Sequence, residues 1–358
     1  MPASETQPAV LHLCASAVWG GAEQVALTLR DLALAHGWEA AIDLPVPIPT
    51  ERFAAPAPEP APKVSWWRWA VRERRPVDVV HAHLPWPDRL GPALVAAQGM
   101  PLVVTFHLLP REEGWTRDRL FGVQTKWLMA LVGRTRARVT WVALSREDAR
   151  TLERLLGAPV VVVRNAPPRA IPSTRPVTWP EEIVRLVSVG RLEWQKGFER
   201  MIDALAHPPV RDLPWHWNLL GEGSLRDALR ARITTAGLDE RITLVGARPA
   251  SDGLTGAHLL LAPSLREGMP LVPLEALEAG VPVIASRIPP HEELFEKVPD
   301  ALLSADEGAW PTDLVRVIAD GVVRQRLLLA QRRILGDDPR ESTWRMYASL
   351  YDELRLTR

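Results

Sequence analysis

Short apolar runs typical of β-strands alternate with longer helical patterns along most of this chain of 358 residues. Such alternation indicates βαβ units, in which parallel strands are covered by helices on both faces. We predict six strands in the first half and about five in the second. The first six are predicted at Val10–Cys14, Ala40–Leu44, Val77–His81, Leu102–Phe106, Thr140–Leu144 and Val160–Val163. The others are predicted at Ile183–Val189, Trp215–Leu220, Ile242–Val245, His258–Ala262 and Val281–Ala285.

Helices are predicted between these strands. In the first half they cover Ala22–His36, Trp66–Arg74, Arg89–Gln98, Arg117–Gly133 and Arg146–Leu156. In the second half they cover Glu199–Ala206, Leu225–Thr235 and Val272–Glu278.

A proline-rich segment, Asn165–Pro180, interrupts the alternation with five prolines and no periodicity. We interpret it as a linker between two α/β domains, residues 1–168 and 169–340, each a Rossmann-like doubly wound parallel sheet. Ligands of such sheets bind at the carboxyl ends of the strands, which predicts a site in a cleft between the domains.

Composition excludes several classes of protein. The chain has 43 Lys plus Arg against 43 Asp plus Glu, so it lacks the basic excess of a nucleic-acid-binding protein. Its one cysteine, Cys14, excludes a disulfide framework and a cysteine-based zinc cluster. We find no membrane-spanning apolar run and no signal peptide, and therefore expect a cytoplasmic protein.

The strongest motif places two glutamates eight residues apart, Glu267 and Glu275. A strand ends just before Glu267, and a helix is predicted to begin near Pro270 and Pro273, where proline is tolerated in a first turn. The free backbone N–H groups of residues 268–272 would form a phosphate site at this helix N-terminus. We expect the two carboxylates to bind two different hydroxyl groups of one ligand; the alternative is a pair of solvated charges.

The second motif carries two cations, Arg191 and Lys196, in the turn from Gly190 to Gly197. It follows a predicted strand, and two cations at a strand's carboxyl end suit a diphosphate that gains charge as it leaves. Lys196 is one of only four lysines in the chain. An ordinary surface lysine is the alternative.

Two glycine pairs precede helices, Gly20-Gly21 and Gly221-Glu222-Gly223. Both allow a ligand to approach the backbone closely. Neither pair has the third glycine of the dinucleotide fingerprint, which disfavours a nicotinamide or flavin site. A plain tight turn is the alternative for each pair.

Three further features have both a functional and a structural interpretation. His81, His83 and His107 end first-half strands and could form a metal site or bind a substrate, although their spacing does not support metal binding. For His81 and His83 the structural alternative is a partly buried imidazole whose hydrogen bonds are satisfied within the protein. The Trp- and Arg-rich segment Trp66–Arg75 could be an interfacial membrane helix or a short amphipathic one. The proline-rich segment Pro45–Lys63 is predicted to be a surface loop, alternatively a flap over an acceptor.

Taken together, these motifs resemble the family 4 retaining glycosyltransferases of the GT-B fold. The resemblance covers most of the chain, and the Arg/Lys turn with the Glu267–Glu275 block is its most specific part. The matching segments are Gly20–Glu23, Asp78–His83, Thr105–His107, Ser145, Arg164–Ala166, Gly190–Gly197, Gly221–Gly223 and Glu267–Val283. Two segments depart from the family pattern: Ala166 replaces a glycine, and residues 287–293 replace a glycine-rich loop.

The resemblance implies a nucleotide-diphosphate sugar as co-substrate, with no cofactor and no obligatory metal. Arg191 and Lys196 would bind the diphosphate, with Gly20 and Gly21 approaching it from the first domain. Four further residues, Gly268, Met269, Pro270 and Leu271, would help Glu267 to bind the donor sugar. Val272, Glu275 and Arg248 would lie at the ribose and base.

The resemblance also implies catalytic roles and a domain arrangement. His107 would contact the donor sugar near the reacting carbon, and Glu267 would be the second catalytic group. Family members are thought to retain anomeric configuration without a protein nucleophile, because the leaving diphosphate helps to deprotonate the acceptor. The C-terminal helix, residues 341–358, would pack back on the N-terminal domain.

We therefore predict transfer of a sugar to a glycan, lipid-linked or small-molecule acceptor hydroxyl. Biosynthesis of a cell-envelope polysaccharide, lipopolysaccharide or glycolipid is the main expectation, with peripheral contact at the inner face of the membrane. Glycosylation of a soluble metabolite or natural product is the alternative. A GT-B sugar-nucleotide epimerase or phosphorylase is an enzymatic alternative, and a GT-B-like partner subunit a non-enzymatic one. No nucleic-acid partner is expected.

Overall fold

The computed structural model divides the chain into two compact units. It describes residues 7–14, 20–43, 77–84, 99–109, 138–168 and 183–356. The first unit contains the described residues up to Pro168 together with the C-terminal helix, and the second contains the described residues from 183 to Asp338. Four predicted segments lie outside the described residues: Pro45–Lys63, Trp66–Arg75, Arg89–Gln98 and Arg117–Gly133. All but the first four residues of the predicted linker also lie outside them.

The first unit is built on a six-stranded parallel sheet with strand order β2-β1-β3-β4-β5-β6. Its strands are β1 Ala9–Cys14, β2 Glu39–Asp43, β3 Val79–Leu84, β4 Leu102–Phe106, β5 Val139–Ala143 and β6 Val160–Val162. Its described helices are α1 Gly21–Ala35, α2 Arg146–Leu156 and the C-terminal helix α11 Pro339–Leu356.

The local sequence explains the regular parts of this sheet. β4 is buried along its whole length, as expected of a continuous apolar run in a central parallel strand. α2 begins where the Ser145 side chain accepts a hydrogen bond from the Asp148 amide, and it ends at Gly157 with φ of 64°. Ser145 and Gly157 flank a helix whose bounds, Arg146–Leu156, are the predicted ones.

β3 differs most from its predicted bounds. It begins at Val79, two residues later than expected, and continues through His83 to Leu84. Asp78 lies outside the strand and is held at the amino-terminal edge of the sheet by two hydrogen bonds to Ala9. Its carboxylate accepts from the Ala9 amide, and its own amide donates to the Ala9 carbonyl, both at 2.9 Å. The shift places His81 and His83 inside a strand, with side chains on the same face.

The second unit has a five-stranded parallel sheet with strand order β11-β10-β7-β8-β9. Its strands are β7 Val184–Val189, β8 Trp215–Leu220, β9 Ile242–Gly246, β10 Leu259–Ala262 and β11 Val283–Ala285. Its helices are α3 Phe198–Ala206, α4 Pro208–Arg211, α5 Arg226–Thr235, α6 Ala250–Leu254, α7 Leu271–Ala279, α8 Pro289–Leu294, α9 Trp310–Ala319 and α10 Gly321–Gln331. The prediction of two doubly wound parallel sheets is confirmed.

α11 packs on the sheet of the first unit. Trp344, Tyr347 and Tyr351 are buried on its inner side, and the Thr343 hydroxyl donates to the Arg164 carbonyl at 3.1 Å. The helix begins two residues before the predicted segment 341–358. None of the described helices combines the length and apolar character that crossing a membrane requires.

Candidate functional site

Two turns of the second unit lie side by side because the strands before them are neighbours. We call residues 190–197, after β7, the lysine turn, and residues 263–270, after β10, the glutamate turn. β7 and β10 pair in parallel, so both turns leave the same edge of the sheet. The amides of Leu265 and Arg266 donate to the Gln195 carbonyl at 2.8 and 3.3 Å, which joins the two turns.

Gly197 makes this contact possible. Its φ is 65°, in the left-handed region that side chains rarely adopt, and a Cβ there would lie 2.2 Å from the Pro263 carbonyl oxygen. A side chain at this position would therefore push the lysine turn away from the glutamate turn.

Lys196 and Glu267 meet where the turns touch. Lys196 Nζ lies 2.6 Å from Glu267 Oε1, and the Ser264 hydroxyl donates to the same oxygen at 2.7 Å. Glu267 Oε2 has no hydrogen bond to any residue that the structure describes. The ion pair is largely shielded, with side-chain exposures of 18% for Lys196 and 12% for Glu267.

Glu267 is ionised at neutral pH. Burial by itself raises the pKa of this carboxyl, but the charge of Lys196 and the hydrogen bonds from Lys196 and Ser264 outweigh burial and hold the pKa below its ordinary value. The turn thus presents a fixed carboxylate beside a fixed ammonium group.

Glu275 lies in the second turn of α7 and is 8% exposed. Burial raises its pKa to about 7, and the nearby charge of Glu278 adds to the shift. The alternative interpretation of Glu267 and Glu275 as two solvated surface charges is wrong, since both side chains are largely removed from solvent. Burial acts on both carboxyl groups, but only Glu267 has a cation and a hydroxyl donor that outweigh it, so their pKa values shift in opposite directions.

The N-terminus of α7 follows directly after Glu267. Pro270 occupies its N-cap position and no side chain caps the helix. The expected run of free N–H groups from residue 268 to 272 needs one correction, because Pro270 has no N–H. Leu271 and Val272 are the first two residues of the helix and are half-buried, whereas Gly268 and Met269 are buried in the preceding turn.

The Gly221–Gly223 segment supports the lysine turn from its other side. The Gly190 amide donates to the Leu220 carbonyl and the Leu192 amide to the Glu222 carbonyl, both at 2.9 Å. A Cβ on Gly221 would lie 1.8 Å from the Gly190 carbonyl oxygen. The Gly221 amide donates to the Gly246 carbonyl at 2.8 Å, so the segment also connects the lysine turn to the end of β9.

Arg191 and Arg248 are the exposed cations among the predicted site residues. Arg191 follows β7 and Arg248 follows β9, so both leave the carboxyl edge of the sheet. No contact between Arg248 and the other predicted site residues occurs in the described part of the chain. Its assignment to the base stays a prediction.

In the first unit, α1 begins at Gly21 and Gly20 is its N-cap, with extended backbone and no side-chain cap. α7 likewise has no side-chain cap, and the binding of a ligand by the amides at Gly20 and Gly21 stays a prediction. The cleft predicted between the domains stays a prediction.

One face of the first sheet carries a cluster of polar side chains that sequence reasoning found only in part. Since β1, β3 and β4 are in register, His12, His81, His83 and Thr105 share this face, and His107 continues it. The missed members are His12, Thr105, Tyr347 and Tyr351. The available signals were the single histidine in the otherwise apolar strand β1 and the occurrence of both tyrosines of the chain in the C-terminal segment.

Hydrogen bonds connect the cluster to α11. His81 Nδ1 is 2.6 Å from the Tyr351 hydroxyl, and His81 Nε2 is 2.8 Å from the Thr105 hydroxyl, which in turn contacts the Tyr347 hydroxyl at 3.1 Å. Both ring nitrogens of His81 are thus satisfied without a ligand.

The metal hypothesis named His81, His83 and His107. Within the described ranges, the structure instead brings His12, His81 and His83 together, with one nitrogen of each inside 4.8 Å. Hydrogen bonds account for both nitrogens of His81 and of His83. The expectation that no metal is required stays a prediction.

Comparison with known proteins identifies the family to which these motifs belong. The model for group 1 glycosyl transferases matches residues 184–320, and the model for glycosyltransferase family 4 matches residues 19–166. The two matches together cover most of the chain and correspond to its two units.

The chain is 28% identical to a 2-deoxystreptamine glucosyltransferase of Streptomyces kanamyceticus over 66% of either protein. It is 29% identical to the lipopolysaccharide core mannosyltransferase LpsB of Rhizobium meliloti over 46% of this chain and 50% of LpsB. The matches thus span between half and two thirds of the length of these relatives.

A crystal structure of Anabaena HepE in complex with UDP and glucose superposes with a TM-score of 0.70. The superposition covers 97% of this chain and 100% of HepE, at 19% sequence identity, and shows that the fold is shared. The two parallel-sheet units have the GT-B fold. The chain belongs to the group 1, family 4 glycosyltransferases.

Proposed function

We propose that this protein transfers a sugar from a nucleoside diphosphate sugar to an acceptor hydroxyl group, with retention of anomeric configuration. The observation that carries the proposal is the shielded Lys196–Glu267 pair beside the uncapped N-terminus of α7. It offers a cation, a carboxylate and helix-end amides within one small region. A sugar diphosphate needs these three groups.

The cationic side of this region suits the diphosphate. Lys196 supplies a fixed charge, Arg191 an exposed guanidinium, and the amides of Leu271 and Val272 the positive end of a helix dipole. These groups stabilise negative charge, which increases on the diphosphate as the glycosidic bond to the sugar breaks.

The acidic side suits hydroxyl groups. Glu267 Oε2, which is free of the Lys196 and Ser264 contacts, would accept hydrogen bonds from the donor sugar. Glu275 would accept them from the ribose. For the first unit, we propose that the amides at Gly20 and Gly21 bind phosphate and that His107 contacts the donor sugar.

The proposed reaction needs no side-chain nucleophile. The acceptor oxygen forms a bond to the anomeric carbon on the face that the diphosphate leaves, and the acceptor proton passes to a diphosphate oxygen. The contribution of the protein is then to position both substrates and to stabilise the charge of the leaving group.

Two acceptor classes are supported by relatives of different kinds. LpsB is named for a reaction on lipopolysaccharide core, which favours a cell-envelope acceptor. The other relative is named for a reaction on 2-deoxystreptamine, an aminocyclitol, and it matches a larger share of this chain. We propose that the protein acts in the cytoplasm. A lipid-linked or glycan acceptor of cell-envelope biosynthesis is the first candidate, and a soluble aminocyclitol-type acceptor is the second.

A thermal-shift screen with UDP-, GDP-, ADP- and dTDP-sugars tests the donor assignment, because a specific ligand stabilises the folded chain by mass action. We expect one nucleotide class to raise the melting temperature of the wild type and not of Lys196→Ala. No shift with any of them would refute the donor site.

Product analysis then separates the remaining functions. NMR of the product should show a new glycosidic bond with the anomeric configuration of the donor sugar. Inversion would refute the proposed stereochemistry, and a changed sugar nucleotide without a new glycosidic bond would identify an epimerase. Parallel incubation with a lipid-linked glycan and with an aminocyclitol decides between the two acceptor classes.

A further inference from the structure

Three histidines of the first unit form a hydrogen-bonded chain across the sheet. His12 Nδ1 lies 3.0 Å from His83 Nε2, and His83 Nδ1 lies 3.1 Å from His107 Nε2. We call His12, His83 and His107 the histidine chain. It runs from fully buried rings in β1 and β3 to a half-buried ring just after β4.

The two ends of the histidine chain differ. At the inner end, His12 Nε2 is buried and makes no hydrogen bond to the described residues. At the outer end, His107 Nδ1 likewise makes no hydrogen bond to any residue in the described ranges, but His107 is half-buried. The open nitrogen of His107 is thus the one that a ligand can reach.

All three imidazoles are neutral. Burial lowers the pKa of His12 to about 3, with the charge of Arg30 adding to the shift, and burial alone lowers that of His107 to about 3. Burial, with neighbouring histidines, also holds the pKa of His83 well below its ordinary value. A neutral imidazole carries one proton, so each ring donates through one nitrogen and accepts through the other.

Two hydrogen bonds between three neutral rings allow two arrangements. In the inward arrangement His107 donates to His83, His83 donates to His12, and the N–H of His12 Nε2 is buried without an acceptor. In the outward arrangement His12 Nδ1–H donates to His83, and His83 Nδ1–H donates to His107 Nε2. The outward arrangement avoids an orphaned buried N–H, which is rare in proteins.

We propose that His12 and His83 are positioning residues that hold His107 as its Nδ1–H tautomer, so that His107 presents an N–H donor to an acceptor oxygen of the ligand. Given the proposed function, that oxygen belongs to a hydroxyl group of the donor sugar. His107 then orients the sugar without giving up a proton, because its neutral ring keeps the N–H that it shares.

The tautomer is measurable without any ligand. Long-range ¹H–¹⁵N correlation spectra of the full chain labelled at histidine distinguish a protonated ring nitrogen from an unprotonated one. We expect a protonated Nδ1 and an unprotonated Nε2 for His107, opposite to the tautomer that free histidine favours. An Nε2–H or averaged tautomer of His107 in the wild type would overturn the proposal.

Variants show whether the neighbours impose the tautomer. His83→Phe should release His107 to an averaged tautomer, and His12→Phe should shift it towards Nε2–H because His83 loses its donor. His83→Asn, whose amide N–H can replace Nδ1–H, should keep the wild-type signal. His258→Phe removes an equally buried imidazole from the second unit and should leave His107 unchanged.

An unaltered His107 signal in both folded His83→Phe and His12→Phe would also overturn the proposal. If either variant fails to fold, the test rests on the wild type and His83→Asn, in both of which we expect His107 to carry its proton on Nδ1.

Measurements of kcat with UDP-glucose and GDP-mannose as donors test this proposal separately from the proposed function. His83→Phe should lower kcat by roughly tenfold, with His83→Asn close to the wild type. If His83 acts through His107, adding His83→Phe to His107→Ala should cause no further loss. A His107→Ala variant with unchanged turnover would refute the sugar contact alone, because the tautomer is established by the spectra.

Discussion

At the scale of single residues, the shielded pair of Lys196 and Glu267 is the main feature of the second unit. Removing one partner of a partly buried ion pair destabilises the folded chain, because the remaining charge has no partner and stays desolvated. Lys196 therefore has two roles in our proposal: it binds the diphosphate and keeps Glu267 ionised. Both roles are lost together when the ammonium group is removed.

Lys196→Ala should lower kcat/KM for the sugar donor by at least about a hundredfold, equivalent to roughly 2.7 kcal/mol, because the leaving diphosphate loses its fixed cation. Steady-state kinetics on UDP-glucose and GDP-mannose measure this loss. Lys297→Ala, at an exposed lysine of the same unit, is the matched control and should keep full activity. Equal activity of the two variants would contradict the assignment.

Glu275 should make stability depend on pH. Because its folded pKa is raised to about 7, the folded chain holds a proton that the unfolded chain has released between about pH 4.5 and 7. Its contribution to stability is therefore present at low pH and is lost as pH rises through 7, by at most about 1.4 kcal/mol per pH unit.

Glu275→Gln removes this dependence. The melting temperature of the variant relative to the wild type should rise from pH 5 to about pH 7 and level off towards pH 8. Glu240→Gln, at an exposed carboxyl group of the same unit, should show no such trend. Parallel pH profiles of wild type and Glu275→Gln would mean that Glu275 is ionised throughout this range.

At the scale of elements, the lysine turn is held by its backbone, which glycines allow to approach neighbouring carbonyl groups. Gly197→Ala should destabilise the second unit by about 2–3 kcal/mol, because its Cβ would overlap the Pro263 carbonyl in addition to straining a positive φ. Gly336→Ala isolates the strain: its φ is 70°, and nothing lies within 4 Å of the added Cβ.

We expect a cost of about 1 kcal/mol for Gly336→Ala, with no effect on turnover. Chemical unfolding measures both variants. The same small loss for Gly197→Ala would show that the two turns do not press against each other in solution.

The C-terminal helix contributes hydrogen bonds of unequal weight. Tyr351→Phe leaves His81 Nδ1 buried without a partner and should cost about 1–3 kcal/mol. Tyr347→Phe should cost less, because the Thr105 hydroxyl that it contacts keeps its bond to His81. Thermal unfolding of the two single variants gives the comparison, and equal losses would argue against a special role of the His81–Tyr351 bond.

At the scale of the whole molecule, the local sequence predicts the elements well and their long-range partners poorly. The apolar pattern and Ser145 predict α2 at its observed bounds, and the two turns predict Glu267 and Lys196 as site residues. The hydrogen bond between His81 and Tyr351 joins residues 270 positions apart, and no local sequence pattern predicts a contact between residues so far apart in the chain. The pairing of Lys196 with Glu267 depends on strand order, which periodicity does not determine.

Ending the chain at Asp338 should disrupt the first unit and spare the second. The deletion removes Trp344, Tyr347 and Tyr351 from the first sheet and leaves the strands of the other sheet complete. Hydrogen exchange should become fast in β1 and β3 and stay slow in β7 and β8. Protection of β1 and β3 in the shortened chain would show that α11 is dispensable for the first sheet.

α11 follows the second unit in the chain, and this order affects how the first unit is made. During synthesis all strands of the first sheet leave the ribosome before the helix that covers their histidine face exists. The described part of the second unit, from residue 183 to Asp338, is continuous in the chain and leaves the ribosome while that face is still exposed. The first unit, although it emerges first, is completed last, so its histidine face stays uncovered until α11 has been made.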